Sequence, residues 1–346
     1  MIKLDDGSSF DQRHRVLYVL DPNHVLSVRN KSIAVNREDG TEVIAIPRKR
    51  IGRIEIGPEV ALDQKAVTVA MDADLAISIL DGFGQTRGLI SGRGRRTAKL
   101  QLAQAKAVLD DTVRLEVARR CVESRIRNQR TQLFRLNRKK QLDEVGVALV
   151  DTKRTLRQLA SATSIEALRG HEGHATALYF AALRPLLPES NGFARSRPAR
   201  DPINAVINYL TGILERDIRA AIQAVGLHQG FAFLHTSQDR HDGLVFDMME
   251  PFRAPLTEGL SVFLFSSKRL REDMFVEGGD DGVHIKTEGR RAIVKAYEAA
   301  VAKRVNAPDG TGKLRWRKMM LHQSRSVARA VLSEDPTIFC PYLMEA

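Results

Sequence analysis

At about residue 92 the hydrophobic pattern of this chain changes period, and one architecture cannot serve both sides of that change. Between residues 12 and 91 the apolar residues come in short β-branched runs, "RVLYVLD", "HVLSVRNKSIAV", "RIGRIEIG" and "KAVTVAMDADLAISIL". Several of these alternate with period two, and "RNKS" and "DGFGQTRG" read as turns between them. A small antiparallel sheet or sandwich is the expected result. "SGRGRR" at 91–96 is a glycine–arginine linker. From Thr97 onward apolar residues recur at three- and four-residue steps, the signature of helices with one buried face. The expected fold class is therefore α+β: an N-terminal antiparallel β domain over 1–92 and a mainly α-helical domain over 97–346.

Within the second half, Val113, Val117 and Cys121 with Leu115, Ala118 and Val122 form one buried stripe. "TSIE" at 163–166 has capping-box spacing and starts a helix that carries Glu172. Further helices are expected at 202–226, 255–267, 288–305 and 313–333, with "GGDDGVHIK" as a turn or short hairpin. There is no internal repeat and no low-complexity tract.

Composition narrows the function classes. The 346 residues hold two cysteines, Cys121 and Cys340, without Cys-x-x-Cys spacing, which points to a reduced, cytoplasmic protein lacking structural zinc. The N-terminal "MIKLDDGSSFDQRHRV" has no apolar core of a secretory signal. No apolar run approaches the ~20 residues that span a bilayer, so no membrane partner is expected. Lys and Arg number 54 against 42 acids, a formal charge of +12, which favours a polyanionic partner such as nucleic acid. The excess is concentrated at Arg119, Arg120, Arg125, Arg127, Arg130, Arg135, Arg138, Lys139 and Lys140, with Glu123 the one acid among them. A run so poor in i,i+4 acids repels itself and gains by neutralising phosphates, so a DNA-backbone contact is expected there.

Three motifs fail on spacing. "PDGTGK" at 308–313 lacks the first glycine and the Ser/Thr of a phosphate loop. "GFGQTRG" at 82–88 misses the dinucleotide spacing and joins strand to strand. "LRGHEGHA" at 168–175 sets His171 and His174 three apart, whereas the zinc-protease helix needs His-Glu-x-x-His.

The informative stretch is "GFAFLHTSQDRHDGLVFDMMEPFRAP" at 230–255. "FAFLH" reads as a strand-like run ending in His235, and "GLVF" as a second run delivering Asp247. Glu250 lies three residues on, and Pro251 fits a first helical turn, so a helix beginning near Asp247 would turn both carboxylates the same way. Glu172 adds a third acid, flanked by Gly170 and Gly173, each costing a helix about 1 kcal/mol relative to Ala. That cost makes sense where a backbone, phosphate or metal comes close. Three carboxylates, one imidazole and a basic surface suit a hard divalent cation, Mg²⁺ or Mn²⁺, the imidazole tilting the choice toward Mn²⁺.

The blocks "LRGHEGHATALYF", "RPARDPINAVINYLTGILERDI", "GFAFLH" and "LVFDMMEPFR", in this order, resemble the signature segments of the CRISPR-associated adaptation integrases. The resemblance covers about 95–346 firmly and the N-terminal part more loosely, through "LYVLDPNHVLSVRNKSIAV" and "AISILDGFGQTRGLI". It implies a β domain followed by a helical catalytic domain. It further implies that Glu172, His235 and Glu250 ligate the metal and that Asp247 is the neighbouring catalytic acid. The implied reaction is insertion of new spacers into a CRISPR array by attack of a DNA 3′-hydroxyl on a phosphodiester at the repeat border, with an associated nuclease activity. The implied partners are DNA, a second copy of the chain in a homodimer, and a small ferredoxin-like protein, "Cas two". His235 binds metal only when neutral, so activity is expected to fall in acid. His171 and His174 depart from the pattern and read as surface histidines; Ala232 stands where a glycine is common. The rival expectations are a transposon-borne relative and a non-catalytic DNA-binding scaffold.

Overall fold

The structure, a computed structural model, describes residues 15–92, 97–187, 193–196, 198–239 and 241–345. The N-terminal segment 1–14 and linker residues 93–96 lie outside the described residues. The chain divides into two compact units, Met1–Arg96 and Thr97–Ala346.

The first unit contains strands β1 (Val16–Val19), β2 (His24–Arg29), β3 (Ser32–Arg37), β4 (Glu42–Pro47), β5 (Arg53–Ile56) and β6 (Ala61–Leu62). Helix α1 (Gln64–Asp72) and strands β7 (Ala76–Leu80) and β8 (Thr86–Ile90) follow. "RNKS" is the β2–β3 turn, with Asn30 and Lys31 at positive φ. Two four-stranded sheets result, ordered β4-β3-β2-β6 and β1-β5-β7-β8. The antiparallel expectation needs correcting here. β1, β5 and β7 run parallel and only β8 returns antiparallel, while β6 joins β2 in parallel.

For β5 and β7 the cause is "QKAVTVAMD", which is helix and not strand. Asp63 caps it by accepting from the Lys65 N–H at 3.0 Å, and Ala66 and Ala70, one turn apart, are fully buried. Its valines satisfied a period-two reading, but the cap and the buried alanines favour the helix, which then connects parallel strands. Leu26, Ile33, Ile54 and Ile77 form the centre of this unit's core.

The second unit is helical: α2 (Ala98–Leu109), α3 (Asp111–Asn137), α4 (Asp143–Leu159), α5 (Ile165–Leu183), α6 (Pro202–Val225), α7 (Gly243–Arg253) and α8 (Gly259–Ser266). Hairpin β9 (Phe275–Glu277) and β10 (Val283–Ile285), α9 (Thr287–Val301), hairpin β11 (Arg304–Asn306) and β12 (Lys313–Arg315), and α10 (Trp316–Ser333) complete it. "PDGTGK" is the β11–β12 turn, not a phosphate cradle. Among the described residues no helix is long and apolar enough to cross a membrane.

Helix α3 is the axis on which the site is built. Of the expected stripe, Val117, Ala118, Cys121 and Val122 are wholly buried, as is Ile126 beyond it, while Val113 and Leu115 pack half-buried against the same core. Asn128 on the same helix donates to the Pro251 carbonyl at 2.7 Å and the Tyr342 carbonyl at 3.0 Å. The first of these bonds has a specific cause: Pro255 has no N–H, so the Pro251 oxygen four residues earlier has no helical donor, and Asn128 supplies one.

Candidate active site

"GLVF" is the first turns of α7, not a strand, and "FAFLH" forms no strand either. The helix begins at Gly243, so Pro251 lies in its interior and not in its first turn. A Cβ at Gly243 would sit 2.7 Å from the Ala232 Cβ and 3.1 Å from the Thr236 carbonyl. Only glycine lets α7 start that close to the 231–238 loop.

The loop makes its backbone hydrogen bonds with side chains, which is why it needs no partner strand. Asp247 Oδ2 accepts from the Phe233 N–H at 2.6 Å and the Leu234 N–H at 3.0 Å; Oδ1 accepts from the His235 N–H at 2.9 Å. The carbonyls are taken by helices on other sides. Gln104 of α2 donates to Phe231, Arg114 of α3 to Phe233 at 3.0 Å, and Arg169 of α5 to Leu234 at 2.7 Å. Four segments thus fix the backbone on either side of His235.

Asp247 also orients the imidazole, with His235 Nδ1 lying 2.6 Å from Oδ1. A carboxylate that already collects three N–H donors accepts a fourth, which puts the ring proton on Nδ1 and leaves Nε2 as a lone-pair donor. Asp247 is wholly buried with both oxygens used, and it holds the His235 backbone and ring. The side chain of His235 remains 35% exposed, beside His241 and Phe246, whose rings stack at 5.1 Å.

Glu172 enters from α5, whose first turn is capped by Ser164 accepting from the Ala167 N–H at 3.1 Å, one residue later than "TSIE" suggested. Arg169, one turn before Glu172, is the residue that grips Leu234, so α5 and the His235 loop are adjacent. Glu250 lies one turn beyond Asp247 on α7. The two glutamates meet at a single cation: Arg125 Nε is 2.9 Å from Glu172 Oε1, and Arg125 Nη1 contacts Glu250 Oε2. Thr176 completes the corner, donating to Glu172 at 3.0 Å and accepting from Arg125 Nε at 3.2 Å. Burial and the repulsion of nearby Arg253 both lower the Arg125 pKa, while Glu172 and Glu258 counter them.

Among the described residues no group of three His, Cys, Asp or Glu side chains stands closed around a metal position. The donor chemistry still fits a hard divalent cation. Two carboxylates converge where one cationic group already stands, and Arg169, one turn before Glu172, ties the His235 loop to the same helix.

The basic run divides. Arg119 and Arg120 both pair with Glu116, three and four residues back, and Arg127 pairs with Glu123 at 2.7 Å. Arg119 also donates to the Leu159 and Ala162 carbonyls, Arg130 to Thr152 at 2.9 Å, and Lys140 to the Pro185 carbonyl at 3.1 Å. The premise that this stretch lacks partners is therefore corrected: Glu116 lay just outside it, and carbonyls of neighbouring elements are invisible in a sequence. Arg125 faces inward. Arg138 and Lys139 are exposed, and their side chains make no hydrogen bond or ion pair among the described residues. His174 is exposed and His171 half-buried.

Comparison with known proteins shows the family and the fold. A "CRISPR-associated endonuclease Cas1" of Thermus thermophilus is 29% identical over 328 residues, covering 93% of this chain and 95% of that protein. The solved structure of a casposase bound to integration product superposes with a TM-score of 0.80 at 21% identity, covering 93% of both chains. A Cas6-RT-Cas1–Cas2 complex gives 0.83 at 21% identity, covering 96% of this chain and 36% of that one. These likenesses establish the fold, and the family model of CRISPR associated protein Cas1 matches residues 17–299, most of the described length. The chain belongs to the Cas1 family.

Proposed function

We propose that the chain is a divalent-metal-dependent DNA endonuclease and integrase of CRISPR adaptation, acting in the cytoplasm. The observation that carries this reading is the convergence of Glu172 and Glu250 on one cation, with the His235 loop tied to the Glu172 helix through Arg169 and its imidazole oriented by Asp247. Relatives named as Cas1 endonucleases support the nuclease activity, and the Cas1–Cas2 and DNA-bound neighbours support DNA and "Cas two" as partners of a homodimer.

Glu172, His235 and Glu250 would hold Mg²⁺ or Mn²⁺. Such an ion would supply charge stabilisation to the phosphodiester under attack. The chain's own residues do the rest. Asp247 keeps the His235 proton on Nδ1, away from the reacting face. Arg169, Arg114 and Gln104 immobilise the loop, so His235 is presented without an ordering cost at each turnover. Arg138 and Lys139, exposed at the end of α3, are the cations placed to meet a DNA backbone. The attacking 3′-hydroxyl belongs to DNA, so no serine or tyrosine nucleophile is required of the protein.

The test is a joining assay with purified protein, short duplex DNA and a supercoiled array plasmid, with Mn²⁺ or Mg²⁺ and with or without "Cas two". Joined products that vanish in His235→Ala and Glu172→Gln are expected. Metal-independent joining, or joining that survives His235→Ala, would overturn the proposal. Products that need the ends of a mobile element and ignore the repeat would mark a transposon-borne integrase.

A further inference from the structure

Beneath the candidate ligands the interior holds a chain of alternating charges. Glu172 pairs with Arg125, and Arg125 with Glu250; Arg253 Nη1 lies 3.8 Å from Glu250, and Arg253 Nε lies 3.9 Å from Glu258. Glu258 is 1% exposed and neither of its oxygens accepts a hydrogen bond among the described residues. A buried carboxylate whose pairing is a 3.9 Å approach of Arg253 without a hydrogen bond is incompletely compensated, and a closer cation would stabilise it. Glu258 is delivered by the π-helical turn Ala254–Glu258, a local departure from the α ladder. Arg125 feels Glu258 electrostatically as it feels Glu172. Tyr179 Oη and Gln129 Oε1, buried in the same neighbourhood, are also without hydrogen bonds among the described residues.

We infer that Arg125 is a resident cation that occupies the place between Glu172 and Glu250 and moves onto Glu258 when a divalent cation enters. Glu258 is then a positioning residue: it stabilises the guanidinium in its displaced state and makes the two ligand carboxylates available. Without it, the metal must compete with Arg125 for oxygens the arginine has no reason to leave. The inference rests on the metal-site reading above and adds the exchange partner to it.

Calorimetric titration of the purified full chain with Mn²⁺, without DNA, tests it. Arg125→Met removes the competitor and should tighten Mn²⁺ binding at least tenfold. Glu258→Gln should weaken it at least tenfold in the parent chain and leave it unchanged in the Arg125→Met background. Equal weakening in both backgrounds would mean that Glu258 acts independently of Arg125, and the exchange would be wrong. Should Arg125→Met fail to fold, titration with Mg²⁺ followed by NMR at the arginine Nε–H gives the same decision. One buried resonance should shift in the parent chain and stay fixed in Glu258→Gln, and an identical shift in both sinks the inference. If the parent chain binds no divalent cation, the metal-site reading itself fails. If it binds one, loses it in His235→Ala and ignores Glu258→Gln, only the exchange fails.

Discussion

Asp247→Asn is the substitution with the clearest physical consequence. The carboxylate receives four donors, two on each oxygen. An amide has one oxygen and one NH₂, so either placement spoils one pair. With the oxygen toward Phe233 and Leu234, the NH₂ opposes the His235 N–H and forces the ring to accept at Nδ1. Its proton then moves to Nε2, and the lone pair facing the reaction is lost. With the oxygen toward His235, the Phe233 and Leu234 N–H groups are buried unpaired, at about 1–3 kcal/mol each. Either way, and with the charge assistance gone, a destabilisation of about 3 kcal/mol follows, or roughly 6–12 °C in Tm for a unit of this size. His235→Ala makes the contrast, because it removes a partly exposed ring and one contact and should cost about 1 kcal/mol. Scanning calorimetry of the three proteins, paired with the joining assay, separates the roles: His235→Ala loses joining with little stability, and Asp247→Asn loses much stability whichever way its amide lies. An Asp247→Asn protein melting with the parent chain would refute the argument.

Arg138→Ala with Lys139→Ala should flatten the slope of log DNA affinity against log salt by about 1–2, and Arg119→Ala with Arg120→Ala should leave it unchanged. Equal effects of the two pairs would return the whole run to the DNA. A Cβ at Gly170 or Gly173 meets nothing within 4 Å, so Ala at each should stabilise α5 by about 1 kcal/mol while weakening DNA binding. Stabilisation with unaltered DNA affinity would show that nothing approaches the helix there. Burial pushes the Cys121 thiol well above its usual value and the Cys340 thiol up by less. A raised pKa means less thiolate at any given pH, so at about pH 8 a thiol reagent should label Cys340 slowly and Cys121 only on unfolding. Prompt labelling of both in the native protein would contradict the packing of α3.

The amino-acid pattern alone determined which residue types lie in which unit. The change from β-branched runs to a three-to-four-residue period near residue 92 follows from side-chain geometry within single elements, and the strands from Val16 to Arg37 and the long helices form where it places them. The chemical character of Glu172, His235, Asp247 and Glu250 was legible for the same reason: acids and an imidazole at the ends of apolar runs need partners wherever they fold. Their division of labour was not. Only the tertiary structure decided that Asp247 is an internal clamp, because its four donors come from a loop twelve to fourteen residues away. Only packing could commit Arg119, Arg120 and Arg130 to carboxylates and carbonyls, or set Arg125 between two glutamates on different helices and Glu258 beneath them. Periodicity reports the face a residue occupies on its own helix; partnership depends on which other helix that face meets, and that is fixed only when the core closes.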